Sequence, residues 1–224
     1  MKSSKKSLAG RPDKASLQKS KKKNEWPELD WRDFNPAPVI GVDEVGRGCL
    51  AGPVYAAAVV LNLETDVSAY TDSKLISELR REELAIEICE SHQTGLGFAT
   101  VEEIDQLNIF RASQLAMVRA IQSLNLKRGH ILVDGKFTLP GLEGFQQTAL
   151  IKGDLRCKPI SAASILAKVT RDQLMKTLHQ EFPVYGFKQH KGYGTPAHKA
   201  LIKKNKPCLW HRRTFSGVKE FLQD

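Results

Sequence analysis

A chain of 224 residues with 41% hydrophobic, 26% charged and 7% aromatic positions has ordinary globular composition, which excludes a collagen-like, wholly disordered or coiled-coil protein. At this length one domain, or one domain with an appended subdomain, buries enough apolar surface to fold without disulfide or metal staples. The formal charge of +9 is uneven: residues 1–25 and 188–224 each carry nine basic and two acidic side chains, net +7 apiece, whereas residues 26–187 carry 16 basic against 21 acidic, net −5. Basic flanks around an acidic centre suit a polyanion held by those flanks while the carboxylate-rich centre works on it, provided cations offset the central repulsion.

In chain order, residues 1–25 are rich in Lys and Ser and poor in large apolar side chains, so they are expected to form a disordered tail. Trp26, Trp31, Pro27, Pro36 and Pro38 mark a lead-in that extends this unit to residue 36. Short β-branched runs then predict strands from Val39 towards Asp43-Glu44, from Val54 to Leu61, and from Leu96 to Val101. Two more are expected at His130–Val133, leading into Asp134, and at Ala149–Ile151, leading into Lys152-Gly153-Asp154.

Helical spacing is read over Ser77–Ser91, over Asn108–Leu124, and from Ser161, taken as an N-cap, through Val169. The expected architecture is an α/β mixed sheet flanked by helices over residues 37–171. A change of character after Arg171 predicts a helical substrate-binding subdomain over residues 172–224, with helices at Asp172–Phe182 and Pro196–Asn205. The final segment, including Phe221-Leu222, is read as a short helical end, with docking on a replication clamp an unsupported alternative.

The longest apolar stretch, Val54–Leu61, is far below the roughly 20 residues that span a bilayer, so no membrane association is expected. None of the four cysteines forms a Cys-x-x-Cys pair, and they are read as reduced thiols of a cytoplasmic protein. His190, His198 and His211 lack the spacing of zinc ligands and are assigned to phosphate-facing or core positions.

Three strands therefore finish at an acid. If those strands are neighbours, Asp43, Asp134 and Asp154 gather at one place with Glu44 beside them. Crowded carboxylates raise one another's pKa, and hard divalent ions such as Mg²⁺ or Mn²⁺ hold them ionised through oxygen ligation. Two such ions suit phosphodiester hydrolysis by activated water. A single acid at a strand end is commonly a helix cap or ion-pair partner; four after apolar runs, two of them adjacent, favour a metal site.

These residues resemble the type 2 ribonuclease H family, and within it ribonuclease HII. Asp43-Glu44-Val45-Gly46-Arg47-Gly48, Asp72-Ser73-Lys74 and Asp105-Gln106-Leu107-Asn108-Ile109 are similar to its first three motifs. Val133-Asp134-Gly135 and Lys152-Gly153-Asp154 are similar to the segments bearing its later acids, the run Ser161–Asp172 to its long helix, and His190–Thr195 to its C-terminal loop. The chain departs from the usual pattern at Cys49, Leu75-Ile76, Gly194 and Thr214, with the Cys49 change expected to loosen the preceding turn.

The resemblance implies an RNase H-like sheet and cleavage of RNA in RNA–DNA hybrids or 5′ of single ribonucleotides embedded in DNA. It implies Asp43, Glu44, Asp134 and Asp154 as catalytic metal ligands for Mg²⁺ or Mn²⁺, two ions with substrate bound. It also implies Gly46, Arg47, Gly48 and Tyr193 as the ribonucleotide reader. Lys74, Asn108, Ser164, Lys168 and Lys191 are candidate phosphate contacts, and the expected working unit is a monomer bound to nucleic acid. The alternatives are an RNase H-like nuclease of other specificity and a non-catalytic nucleic-acid-binding module.

Overall fold

The computed structural model describes residues 26–222, so the tail expected over residues 1–25 lies outside the described residues. Strands β1 (Val39–Val45), β2 (Val54–Val60), β3 (Gln93–Ala99), β4 (Gly129–Asp134) and β5 (Phe145–Leu150) form one mixed sheet in the order β3-β2-β1-β4-β5. The first three make an antiparallel meander, and β4 and β5 join it parallel to β1. The helices are α1 (Glu78–Ser91), α2 (Val101–Leu107), α3 (Ile109–Gln122), α4 (Gly153–Arg156), α5 (Lys158–Glu181), α6 (Phe187–His190) and α7 (Pro196–Asn205).

Alternation along β1 sorts its side chains between two cores. Ile40 and Val42 join Ala112, Ala116 and Ile121 of α3, whereas Val39 joins Ile160, Ala163 and Ala167 of α5 and Leu84 and Ile88 of α1. Gly41 lies on the α5 side, where a Cβ would collide with the backbone of Pro159 and Ile160. The helix therefore sits directly on the strand, and this close approach brings its middle turns to Asp43.

Local signals explain the helix starts. Ser77 caps α1 by accepting from the Arg80 N–H, and Asn108 caps α3 by accepting from the N–H groups of Phe110 and Arg111. A reciprocal capping box between Thr100 and Glu103 starts α2, which the sequence reading missed by extending a strand to Val101. That strand is displaced towards Gln93 because its alternating glycines, Gly95 and Gly97, press against the α3 backbone.

Ser161 is not an N-cap. It lies one turn inside α5, whose first turn carries Pro159, and its hydroxyl donates to the carbonyls of Asp154 and Cys157. The helices expected on either side of Arg171 are one, running unbroken through residues 171 and 172 to Glu181. Asp105 of α2 accepts from the Arg213 and Thr214 N–H groups and the Thr214 hydroxyl, tying the C-terminal segment to the helices beside β3. Among the described residues no helix is long and apolar enough to cross a membrane.

Candidate active site

Strand register brings the acids together. Val42 of β1 pairs with Val133 of the parallel β4, so Asp43 and Asp134 follow side by side at the same sheet edge. Asp134 pairs in turn with Leu150, the last residue of β5. Lys152 then turns the chain through the left-handed region (φ 55°, ψ 43°), and the Gly153 N–H donates to Asp134 Oδ1 at 2.7 Å. Asp154 thereby returns to the strand ends on α4. A cavity of about 380 Å³ results, walled by Asp43, Glu44, Asp134 and Asp154 with Ser73, Lys74, Ser164, Lys168 and Tyr193.

The carboxylates are held at high electrostatic cost. Burial, followed by the charges of Glu44 and Asp134, pushes the Asp43 carboxyl well above its usual range, although the Ser164 hydroxyl opposes this by hydrogen bonding. Burial raises Glu44 to about 7 against the pull of Arg47, which pairs with it at 3.1 Å. Asp134 is raised by burial and Asp154, and Asp154 by burial and Asp72. Lys74 faces the group, 3.7 Å from Asp72 and 3.6 Å from Asp154. Burial would lower its pKa, but the surrounding carboxylates outweigh that and raise it.

Among the described residues no three acidic, His or Cys side chains form a ready-made chelating group. Each acid is turned to a protein partner: Asp43 Oδ1 accepts from the Glu44 N–H, Glu44 from Arg47, Asp134 from Gly153, and Asp154 faces Lys74. The donor set nevertheless fits a hard divalent cation. Four oxygen-bearing side chains line one cavity, and the raised pKa values mark negative charge that a cation would neutralise in place of protons.

Two arginines with no exposed surface hold the adjoining loops. Arg171 donates to the carbonyls of Ala51, Pro53 and Lys191, and Arg212 to those of Gly46, Arg47 and Gly52, all at 2.7–3.0 Å. Gly46 has φ +97°, and a Cβ there would strike the Arg171 side chain, so this position requires glycine twice over. Gly48 is open, with nothing within 4 Å of a built Cβ. Cys49 is buried and bridge-paired with Tyr193, which places that half-exposed tyrosine on the cavity rim with its ring 5.9 Å from Lys168 Nζ.

Other sequence-predicted contacts divide. Lys74, Ser164 and Lys168 line the cavity, and Arg47 lies beside it in an adjoining pocket with Glu44 and Asp134. Asn108 lies outside, its carboxamide oxygen engaged in capping α3. Lys191 also lies outside; its ammonium donates to the Lys188 carbonyl at 2.8 Å and pairs with Glu78. Sequence reasoning missed Arg171, Arg212 and Arg81. The last donates to the Ser73 and Ile76 carbonyls at 2.5 and 2.6 Å and so braces the Asp72–Lys74 turn.

Carboxylates at the ends of β1 and β4, beside an antiparallel meander and under a long helix, define an RNase H-like nuclease. The family model described as Ribonuclease HII matches residues 40–218. Ribonuclease HII of Acidovorax sp. is 50% identical over 196 residues, which cover 87% of this chain and 92% of that protein. The ribonuclease H2 of Pyrococcus horikoshii superposes with a TM-score of 0.71 at 28% identity, covering 82% of this chain and 96% of that one. The RNase HII of Archaeoglobus fulgidus, solved in complex with PCNA, gives 0.70 at 26%, covering 84% and 98%.

The chain belongs to the ribonuclease HII family. It is a metal-dependent endoribonuclease of the ribonuclease H kind, acting on RNA paired with DNA.

Proposed function

We propose that the chain cleaves on the 5′ side of single ribonucleotides embedded in duplex DNA as well as within the RNA strand of hybrids, leaving 3′-hydroxyl and 5′-phosphate ends. The observation that carries this reading is the backbone pairing of Cys49 with Tyr193, which joins the end of the Gly46–Gly48 turn to a tyrosine that lines the carboxylate cavity. Discriminating RNA from DNA requires contact with the 2′-hydroxyl, which both donates and accepts. Main-chain groups at a glycine approach a sugar closely because no Cβ intervenes, and the Tyr193 ring covers its face.

Asp43, Glu44, Asp134 and Asp154 would hold Mg²⁺ or Mn²⁺, with two ions in the substrate complex. Bound divalent ions activate a water and stabilise the leaving oxygen. The chain's own residues prepare the ground: Ser164 lies beside Asp43 in the cavity wall, and the Gly153 N–H orients Asp134. Lys74, which faces Asp72 and Asp154, and Lys168, which pairs with Asp172 at 2.6 Å, line the same cavity and would turn to the phosphates flanking the cut. Phosphate contacts position a duplex without reading its bases, so cleavage tolerates many sequences and binding falls steeply with salt.

A monomer is the proposed working unit. Removal of misincorporated ribonucleotides and RNA primers in the cytoplasm is the role that fits. Clamp docking through Phe221-Leu222 draws support from the Archaeoglobus fulgidus RNase HII solved in complex with PCNA, while the partly buried Phe221 also packs against Leu50, Ile202 and Val218 of the same chain.

A labelled DNA duplex containing one ribonucleotide, incubated with Mg²⁺, Mn²⁺ or EDTA, tests the reading. The expected product is a single nick 5′ of the ribose with either metal and none in EDTA; an uncut duplex beside cleavage of a uniform hybrid would remove the junction specificity.

A further inference from the structure

Behind Tyr193 lies a cluster of three histidines, none of which touches the carboxylate cavity. His198 and His211 have no exposed surface. His190 stacks on His198 with ring centroids 4.0 Å apart, and Tyr185 and Phe187 close the sides. Every ring nitrogen already has a partner, so the cluster has no lone pair left for a cation.

Those partners fix the tautomers. The Cys208 N–H donates to His211 Nδ1 at 3.0 Å, which leaves the neutral ring's proton on Nε2. That nitrogen lies 3.2 Å from His198 Nε2, while His198 Nδ1 lies 2.9 Å from the Tyr193 carbonyl, an acceptor only. His198 therefore carries its proton on Nδ1 and accepts on Nε2. The bonds run in one direction, from Cys208 through His211 and His198 to Tyr193. His190 supports the same turn, Nε2 donating to the Tyr185 carbonyl at 2.7 Å and Nδ1 accepting from the Gly192 N–H.

The chain ends on the residue that the proposed function uses to read the sugar. The Tyr193 carbonyl receives a second bond from the Thr195 N–H at 2.8 Å, and the Tyr193 N–H donates to the His190 carbonyl at 2.8 Å. Its backbone is thus tied on both sides while its ring stays half-exposed over Lys168. A ring that must meet one sugar face needs such a fixed base, because a displacement of about 1 Å removes much of the benefit of orientation.

We propose that His211 and His198 are positioning residues, a neutral two-imidazole relay that sets the Tyr193 backbone and through it the selectivity for a ribonucleotide–deoxyribonucleotide junction. The proposal rests on the junction-reading role of Tyr193. Breaking the relay lowers cleavage at a single embedded ribonucleotide more than cleavage of a uniform RNA–DNA hybrid, where many equivalent sites compensate for imperfect docking.

The test measures both substrates for wild type, His198→Leu, His198→Asn, Tyr193→Ala and the Tyr193→Ala/His198→Leu pair. Leucine removes both hydrogen bonds, whereas asparagine keeps a donor near the Nδ1 position. The expected result is a junction-to-hybrid ratio about tenfold lower in His198→Leu, largely restored in His198→Asn, and in the double variant no lower than in Tyr193→Ala alone. Multiplicative losses in the double variant, or an unchanged ratio in His198→Leu, overturn the proposal. If Tyr193→Ala itself leaves the ratio intact, the junction-reading role fails instead.

Should His198→Leu fold poorly by thermal unfolding, His211→Asn breaks the relay one link earlier and His211→Gln keeps a donor near Nε2. The ratio must then fall in the first and recover in the second; equal ratios count against the relay.

Discussion

The two sides of the cavity are built on opposite principles. On the strand side, four carboxylates are crowded into partial burial and raise one another's pKa, with one lysine and one arginine as partial compensation. On the loop side, two wholly buried guanidinium groups and three imidazoles have their hydrogen bonds met by carbonyls, amides and one another. The first region crowds like charges that the fold does not neutralise; in the second every guanidinium and imidazole nitrogen has a hydrogen-bond partner, although burial still lowers the Arg212 pKa to about 10. The contrast separates the part that awaits a ligand from the part that positions one.

The most severe way to break the contrast is Asp43→Asn, which removes the carboxylate shared between β1 and α5. Turnover should fall by about a thousandfold or more, while affinity for duplex stays near wild type, as measured by nicking rate and by binding in EDTA. Breaking the other side has a different signature. Arg212→Met leaves the Gly46, Arg47 and Gly52 carbonyls without their donor and should lower folding stability by about 3 kcal/mol, read from thermal or denaturant unfolding.

A smaller effect has the opposite sign. A carboxyl whose pKa is raised in the folded state holds its proton more tightly there than in the unfolded chain. Stability is therefore lost as pH rises from the ordinary carboxylate range, 4.5 for Glu, through the folded value of about 7 at Glu44. In EDTA, Glu44→Gln should accordingly be more stable than wild type above about pH 7 by about 0.5–2 kcal/mol, with the gap closing towards pH 4.5.

His198 and His211 titrate at about 4 when folded against 6.5 ordinarily, so they cost stability as pH falls through that window. This contribution is common to both proteins and cancels in the difference. The smallest effect is expected for Arg47→Ala. Loss of its half-exposed ion pair should change stability by less than about 1 kcal/mol while raising the Glu44 pKa further, visible as an upward shift in the pH at which metal-free stability changes.

Much of the strand side was legible in the sequence because its signals are local. β-branched runs end at Asp43, Asp134 and near Asp154, and Ser77 and Asn108 announce helices. The capping box at Thr100 and Glu103 is equally local, but the strand-like run from Leu96 to Val101 overlaps it and masks the helix start. The loop side was less legible. A buried arginine looks in sequence like any surface cation, and only the fold shows which carbonyls Arg171 and Arg212 collect.

Histidines at 190, 198 and 211 have no metal-like spacing, and their tautomer order depends on contacts among the C-terminal loops. Helix α5 reads in sequence as two segments meeting at Arg171 because its first half is buried nearly all round and its second half on one side, so a change in burial imitates a change of element.

The proposed role of Asp43, Glu44, Asp134 and Asp154 as one charge-frustrated group relieved by divalent cations is open to direct measurement. Calorimetric titration of Mn²⁺ into the metal-free protein near pH 7, in two buffers of different ionisation enthalpy, measures the protons displaced per ion bound. Under that role, proton release should give buffer-dependent heats in the wild type, and Asp43→Asn should bind more weakly and release fewer protons. Identical heats in both buffers, or unchanged affinity and stoichiometry in the variant, would contradict it.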